Sequence, residues 1–137
     1  MQLNPYLNFK GQCEEAFKAY EKSLKGNIEF LIRNGESPMA HETPSDQKNS
    51  VLHATLRFGD HVIMGADAPP QYYEKPQGFS ISISVSDVRE AERIFQELSA
   101  GGSIRMPLQK TFWAERFGML TDRFDIPWMI DCEQSSR

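Results

Sequence analysis

The sequence predicts an α+β protein: two βαβββ modules in one chain, forming a pseudo-symmetric pair of curved sheets around a cleft, each sheet backed by a helix. Three observations carry this reading. Each half of the 137 residues runs strand, helix, glycine stop, three strands; Ala16, Tyr20 and Gly26 are answered by Ala91, Phe95 and Gly101 at a constant offset of 75; and a proline-rich connector divides the halves. A shorter period would mean a solenoid, whereas two long units mean one duplicated domain. The expected organisation is a single domain over 1–137, with module one at 1–67, the connector at 68–77 and module two at 78–134.

Leu3, Pro5, Leu7 and Phe9 alternate with Asn4 and Asn8, the period of a half-buried first strand. From Gln12 the period changes, and Cys13, Ala16, Phe17, Tyr20 and Leu24 line one face of an amphipathic helix that ends at Lys25-Gly26, with Gly26 expected as its left-handed cap. A strand follows through Ile28, Phe30 and Ile32. Gly35 to Ser50 is rich in Ser, Pro, Glu and Asn and free of aromatics, so it reads as a mobile loop. Val51 to Phe58 then alternates, with Leu52, Ala54, Leu56 and Phe58 on one face and His53, Thr55 and Arg57 on the other. Gly59-Asp60 is a type II′ hairpin turn, and His61 to Ala66 returns as the partner strand.

Asp67 to Gly78 holds three prolines and Tyr72-Tyr73 and is the connector. Phe79 to Val85 is the strongest alternation in the chain, with Ile81, Ile83 and Val85 against Ser80, Ser82 and Ser84. Asp87 with Glu90 forms a capping box for a second helix, whose stripe is Val88, Ala91, Ile94, Phe95 and Leu98 before Gly101-Gly102 ends it. Strands are expected at Ser103–Thr111, Ala114–Thr121 and Trp128–Glu133, with a turn at Asp122–Pro127.

Composition narrows the function. Fifteen Lys and Arg against 19 Asp and Glu give a formal charge of -4, which leaves no evident supply of cations for phosphate neutralisation, so nucleic acid is excluded as the expected partner. No run of 18 apolar residues suits a membrane span and the N-terminus does not read as a signal peptide, so the expected location is cytoplasmic. Cys13 and Cys132 stand near opposite chain ends without CxxC spacing; reduced, half-buried thiols are expected, although spacing alone leaves a disulfide open.

The sheet faces turned away from the helices carry Asn4, Tyr6, Asn8, His53, Thr55, Arg57, Ser80, Ser82 and Ser84. Such a polar face either meets bulk water or lines a hydrogen-bonding site for a small molecule. Tyr6, His53 and Arg57 are bulky and directional, which favours the site. An imidazole suits proton transfer, so His53 is the candidate for acid–base catalysis, with a hydrogen-bonded packing role as the other reading. His41 and His61 are expected to face solvent. Trp113 is either a ligand contact or a packing or dimer residue, and Trp128, alternating with Ile130, is expected in the core. Asp131 reads equally as a ligand group or as an ion-pair partner of Arg57 or Arg116. Arg116, Asp122 and Arg123 read also as an ion-pair network on the last hairpin.

These residues resemble the glyoxalase/bleomycin-resistance/extradiol-dioxygenase (vicinal oxygen chelate) superfamily, and its PhnB-like branch above all. The resemblance rests on Asn4-Pro5-Tyr6-Leu7-Asn8-Phe9, Glu14-Glu15-Ala16-Phe17-Lys18-Ala19-Tyr20, His53-Ala54, Thr111-Phe112-Trp113-Ala114-Glu115-Arg116-Phe117-Gly118 and Thr121 to Ile130. It implies a metal site with ligands on the first, fourth, fifth and eighth strands, where this chain offers Asn4, Met64, Ser80 and Asp131. An amide, a thioether, a hydroxyl and one carboxylate are a poor set for a divalent transition metal, so no cofactor is expected. Some relatives carry a methyltransferase name, yet no glycine-rich strand-to-helix turn is present for adenosylmethionine. The expectation is a small-molecule-binding protein, sequestering or sensing an organic ligand through Tyr6, Asn8, His53, Arg57, Met64, Ser80, Ser82, Trp113 and Asp131, with Gly35 to Ser50 as a lid. A homodimer is expected. The alternatives are a metal-dependent lyase, isomerase or dioxygenase using Asp131 and His53, and a non-catalytic assembly protein.

Overall fold

The computed structural model describes residues 1–134 and divides into two compact units, one from Met1 to Glu74 and one from Lys75 onward. The first unit runs β1 (Tyr6–Phe9), α1 (Cys13–Ser23), β2 (Asn27–Arg33), β3 (Val51–Phe58) and β4 (His61–Asp67). The second runs β5 (Ile81–Val85), α2 (Val88–Ser99), β6 (Ser103–Gln109), β7 (Ala114–Thr121) and β8 (Pro127–Glu133). Each unit is therefore one βαβββ module with one four-stranded sheet. The strand orders, β1-β4-β3-β2 and β5-β8-β7-β6, are the same permutation. In each sheet the first and last strands of the module pair in parallel and the rest pair antiparallel. None of the described helices is long and apolar enough to cross a membrane.

Each helix buries its stripe on one sheet face. Cys13, Ala16, Phe17 and Tyr20 of α1 are fully buried with Leu7, Phe9, Ala54, Leu56 and Ile63; Ala91, Ile94, Phe95 and Leu98 of α2 are buried in a unit whose core includes Leu120, Trp128, Ile130 and Cys132. Burying a side chain of this size contributes about 1.5–3 kcal/mol. Two glycines set how closely ring and sheet approach. A Cβ on Gly65 would lie 3.0 Å from the Phe17 ring, and one on Gly118 would lie 2.7 Å from Phe95.

The helix starts differ. Asp87 accepts a hydrogen bond from the Glu90 amide at 3.1 Å, the local cap expected from the sequence. In the first unit no neighbouring side chain caps α1; Asp67, at the end of β4, accepts from the Cys13 amide and from the Val51 amide, both at 2.9 Å. This carboxylate, 54 residues beyond Cys13 in sequence, ties the helix start to β3. At the other end, Lys25 takes the left-handed conformation (φ 56°) expected of Gly26, and the Gly26 amide donates to the Glu21 carbonyl, closing a Schellman turn. Gly26 is needed instead for space, since a Cβ there would lie 2.9 Å from the Arg57 carbonyl oxygen. Glu14 joins α1 to β2 through Arg33 at 2.6 Å, and that hydrogen bond holds its carboxyl below the usual glutamate range.

One other expectation is corrected. Leu52 is exposed and Val51 is buried in its place, because the pairing jumps from Ile32–His53 to Arg33–Val51 and leaves Leu52 as the extra residue of a bulge. The segment 35–50 holds three short 3-10 turns, and its base is closed by the Asn34 amide donating to Ser50 and the Gly35 amide to Lys48. Asp122 is buried, 4% exposed: its Oδ1 accepts from the Phe124 and Ile126 amides at 2.8 and 3.0 Å, and its Oδ2 accepts from the Trp128 indole at 2.8 Å. The hairpin turn at Gly59 matches its expectation, with positive φ (63°) at the first central residue and not at Asp60.

Asp122→Ala strands three buried donors and is expected to cost roughly 3 kcal/mol, read as a fall of about 10 °C in Tm. Asp122→Asn keeps one acceptor oxygen and is expected to cost visibly less. Equal losses in thermal unfolding would mean that turn geometry, not these hydrogen bonds, holds the hairpin.

Candidate functional site

Strand β3 decides where the first unit can meet a ligand. Ala54 and Leu56 are buried on the α1 side, so alternation sends His53, Thr55 and Arg57 to the other face. The register then assembles a row across the sheet, with Tyr6 beside Met64, Met64 beside Thr55, and Thr55 beside Phe30. His53 sits among these groups. Its Nδ1 lies 3.1 Å from the Tyr6 hydroxyl and its Nε2 lies 3.2 Å from the Thr55 hydroxyl. Tyr6 stacks on the imidazole at 5.6 Å between ring centroids, and Phe30 tilts against it at 6.0 Å.

A neutral imidazole has one N–H and one lone pair, and two hydroxyls satisfy both, one as donor and one as acceptor. The ring is thereby held at both nitrogens. Burial, then the nearby Cys13, push the Tyr6 phenol up, so it remains a neutral hydroxyl at neutral pH. Tyr6 and Phe30 are nevertheless 45% and 50% exposed, which leaves aromatic surface available beside the histidine. Arg57 is half-committed to the Glu29 carboxylate at 2.7 Å, an exposed pair on the same sheet. Asn8 is exposed on β1, in register with Ala66, while Asn4 lies before β1 and outside the sheet. His41 and His61 are both exposed, as expected.

In the second unit, Ser82 and Ser84 of β5 are exposed and lie beside Met129 and Asp131 of β8. Asp131 in turn pairs in register with Phe117, and Trp113 packs edge-on against the Phe117 ring at 5.5 Å. Trp113 keeps 53% of its surface exposed, whereas Trp128 is fully buried. Ser80 precedes β5. Asp131 has a buried Oδ1 with no hydrogen-bond partner among the described residues. Among the described residues of this unit Asp131 forms no ion pair with Arg116, which faces Glu92 at 3.7 Å and Glu115 at 4.0 Å.

The donors do not fit a metal of the kind the fold family implies. Asn4 and Ser80 lie outside the strands. Among the described residues no group of three or more His, Cys, Asp and Glu side chains comes together to hold an ion. Both cysteines are unpaired and buried, deeper than the half-burial expected. Burial, with Asp67 and Glu14 nearby, pushes the Cys13 thiol far up, so it is no nucleophile.

Sequence reasoning missed Phe30 and Glu29 as members of this face. Both lie on β2, and their places depend on a bulge between Ile28 and Phe30 that alternation along β2 alone does not reveal.

Comparison with known proteins places the chain in a family. Residues 1–131 match the family model described as 3-demethylubiquinone-9 3-methyltransferase. Protein YjdN of Escherichia coli (strain K12) is 37% identical over 139 residues, covering 96% of this chain and 95% of that protein. The crystal structure of protein PA1353 from Pseudomonas aeruginosa shares 46% identity and a TM-score of 0.90 over 98% of this chain and 99% of that one. A putative 3-demethylubiquinone-9 3-methyltransferase, PhnB protein, from Bacillus cereus shares the fold, with a TM-score of 0.82 and 22% identity over 96% and 99% of the two chains. Glyoxalase/bleomycin-resistance and fosfomycin-resistance proteins share the fold at lower identity. The chain belongs to the family described as 3-demethylubiquinone-9 3-methyltransferase, and its fold is one that glyoxalase/bleomycin-resistance proteins share.

Proposed function

We propose that this protein binds a small organic molecule on the β-sheet face formed by Tyr6, Phe30, His53 and Thr55, and that it sequesters or senses the molecule without a metal. The observation that carries this reading is that both nitrogens of His53 are engaged by hydroxyls while aromatic surface beside the ring stays exposed. A histidine held in this way offers a ring face and a polarised hydroxyl pair rather than a free base. The matching ligand is flat and partly polar, stacking on Tyr6 and His53 with its polar edge toward Thr55, Asn8 or Arg57. The family description names a methyltransferase; two mixed sheets with one helix each supply no glycine-rich strand-to-helix turn for adenosylmethionine. Planar cationic antibiotics, 2-oxo acids and phosphonates are the first compounds to screen by thermal shift. A compound that raises Tm is expected to lose about tenfold in affinity in His53→Ala and in Tyr6→Phe, with little change in the Tm of the free protein. Unchanged affinity in both variants would remove this face from the reading.

The second reading, a metal-dependent lyase, isomerase or dioxygenase, has one observation behind it, the unpartnered buried Oδ1 of Asp131. Elemental analysis of protein purified without chelator is expected to find substoichiometric transition metal. Near-equimolar metal that is lost in Asp131→Ala would establish the enzyme reading over the binding one.

Assembly as a homodimer is part of the proposal. Each sheet ends in edge strands, and Phe112 and Trp113 are 89% and 53% exposed, apolar area suited to a second copy. Sedimentation velocity is expected to show a dimer, shifted toward monomer by Phe112→Glu; a wild-type monomer at tens of micromolar would overturn this.

A further inference from the structure

The segment leading into β5, with residues of β6, β7 and β8, lines a cavity of about 310 Å³ that belongs wholly to the second unit, whereas His53 belongs to the first. Its walls include Lys75, Gln77, Gly78, Phe79, Arg105 and Thr121, with two prolines completing them. No carboxylate lines it, in a chain where acids outnumber bases 19 to 15. Arg33, Arg57, Arg93 and Arg116 each have a carboxylate partner. Among the described residues, the side chains of Lys75 and Arg105 have no ion pair and no hydrogen bond. Lys75 and Arg105 thus bring two exposed positive charges to one small hollow that no carboxylate lines, where an anion would be attracted by both.

The backbone places one of the two cations deliberately. The β6–β7 pairing passes from Ile104–Leu120 to Met106–Met119, so Arg105 is the extra residue of a bulge. A bulge breaks the strand's alternation and re-aims the side chain it carries, and bulges recur beside binding sites for this reason. Arg105 supplies a planar fork of donors, Lys75 a compact point charge, and Thr121 a hydroxyl. Phe79, 50% exposed, gives a flat apolar wall to the same cavity.

We propose that this cavity is a binding site for a small oxyanion, a carboxylate or a phosphoryl group, carried on a flat ring that rests on Phe79. The oxyanion lies between Lys75 and Arg105, and the modest volume limits the cargo to about one ring. The site is independent of the His53 face and stands whether or not that face binds a ligand.

Amide chemical shifts of the full chain, followed while inorganic phosphate, phenyl phosphate or benzoate is added, test the proposal. Saturable shifts at Gly78, Phe79 and Thr121 are expected, with phenyl phosphate or benzoate at least about fivefold tighter than inorganic phosphate. Whichever of the two ring-bearing anions binds more tightly identifies the oxyanion the site takes. Lys75→Met and Arg105→Gln, both exposed and outside the core, are each expected to weaken binding about tenfold, and rising salt should weaken it further. Phe79→Leu should remove the advantage of the ring-bearing anions and leave inorganic phosphate unaffected. His53→Ala should leave all these shifts in place, which separates failure of this site from failure of the other. Binding that survives in the Lys75→Met/Arg105→Gln double variant, or shifts that never saturate, would overturn the assignment.

Discussion

An aromatic ring resting on a glycine organises each module. Phe17 sits on Gly65 and Phe95 on Gly118, at distances that no Cβ would tolerate. Without a side chain beneath it, the helix drops close to the sheet, and a single helix of 11 or 12 residues is enough to bury one face of four strands. Everything else on the sheet follows from that economy. The covered face takes most of the large apolar residues, and the other face of the first sheet mixes Tyr6, His53, Thr55 and Arg57 with Ile32, Val62 and Met64. That mixture of polar, aromatic and apolar groups is the composition a ligand site needs.

The two modules share strand order and helix placement but close their weak points by different means. α2 begins on a local cap, Asp87, whereas α1 borrows Asp67 from a strand that ends 54 residues later. The β3–β4 connection is a two-residue turn at Gly59, while β7 and β8 are joined by a longer turn folded around Asp122. In both units a buried or half-buried carboxylate accepts main-chain amide hydrogens. Such carboxylates look like candidates for chemistry when read in one dimension, and here Asp67 and Asp122 are spent on holding strands and helix ends together.

Period-two and period-3.6 patterns made the fold legible. Both helices, the order of strands and the Asp87 cap follow from spacing alone, and so does the fold class. Bulges were not legible. Leu52, Glu29, Arg105 and Glu115 each stand where the pairing skips a residue, and beyond each skip the facing of side chains differs from strict alternation. Leu52 was assigned to the core for this reason, and Phe30 was not seen to reach His53. Long-range capping was equally hidden: Asp67 stood in what read as a connector, and nothing local tied it to Cys13 or Val51. The His53 face itself was readable because Ala54 and Leu56 flank the register that matters, and no bulge intervenes between His53 and Arg57 on β3.

The engagement of His53 bears on what kind of chemistry this face can perform. Releasing one imidazole nitrogen from a hydroxyl costs about 1 kcal/mol, a small barrier beside those of catalysis, so the hydrogen bonds alone do not forbid proton transfer. What they do is fix the ring. Held at Nδ1 by Tyr6 and at Nε2 by Thr55, with Phe30 against it, the imidazole is ordered before any ligand arrives. A ligand that stacks on it then loses little further side-chain freedom in the protein, which is how a shallow face achieves useful affinity. A general base needs its lone pair aimed at the substrate, and here both in-plane directions are taken by the protein's own groups. The same arrangement that weakens the case for His53 as a base strengthens it as a platform.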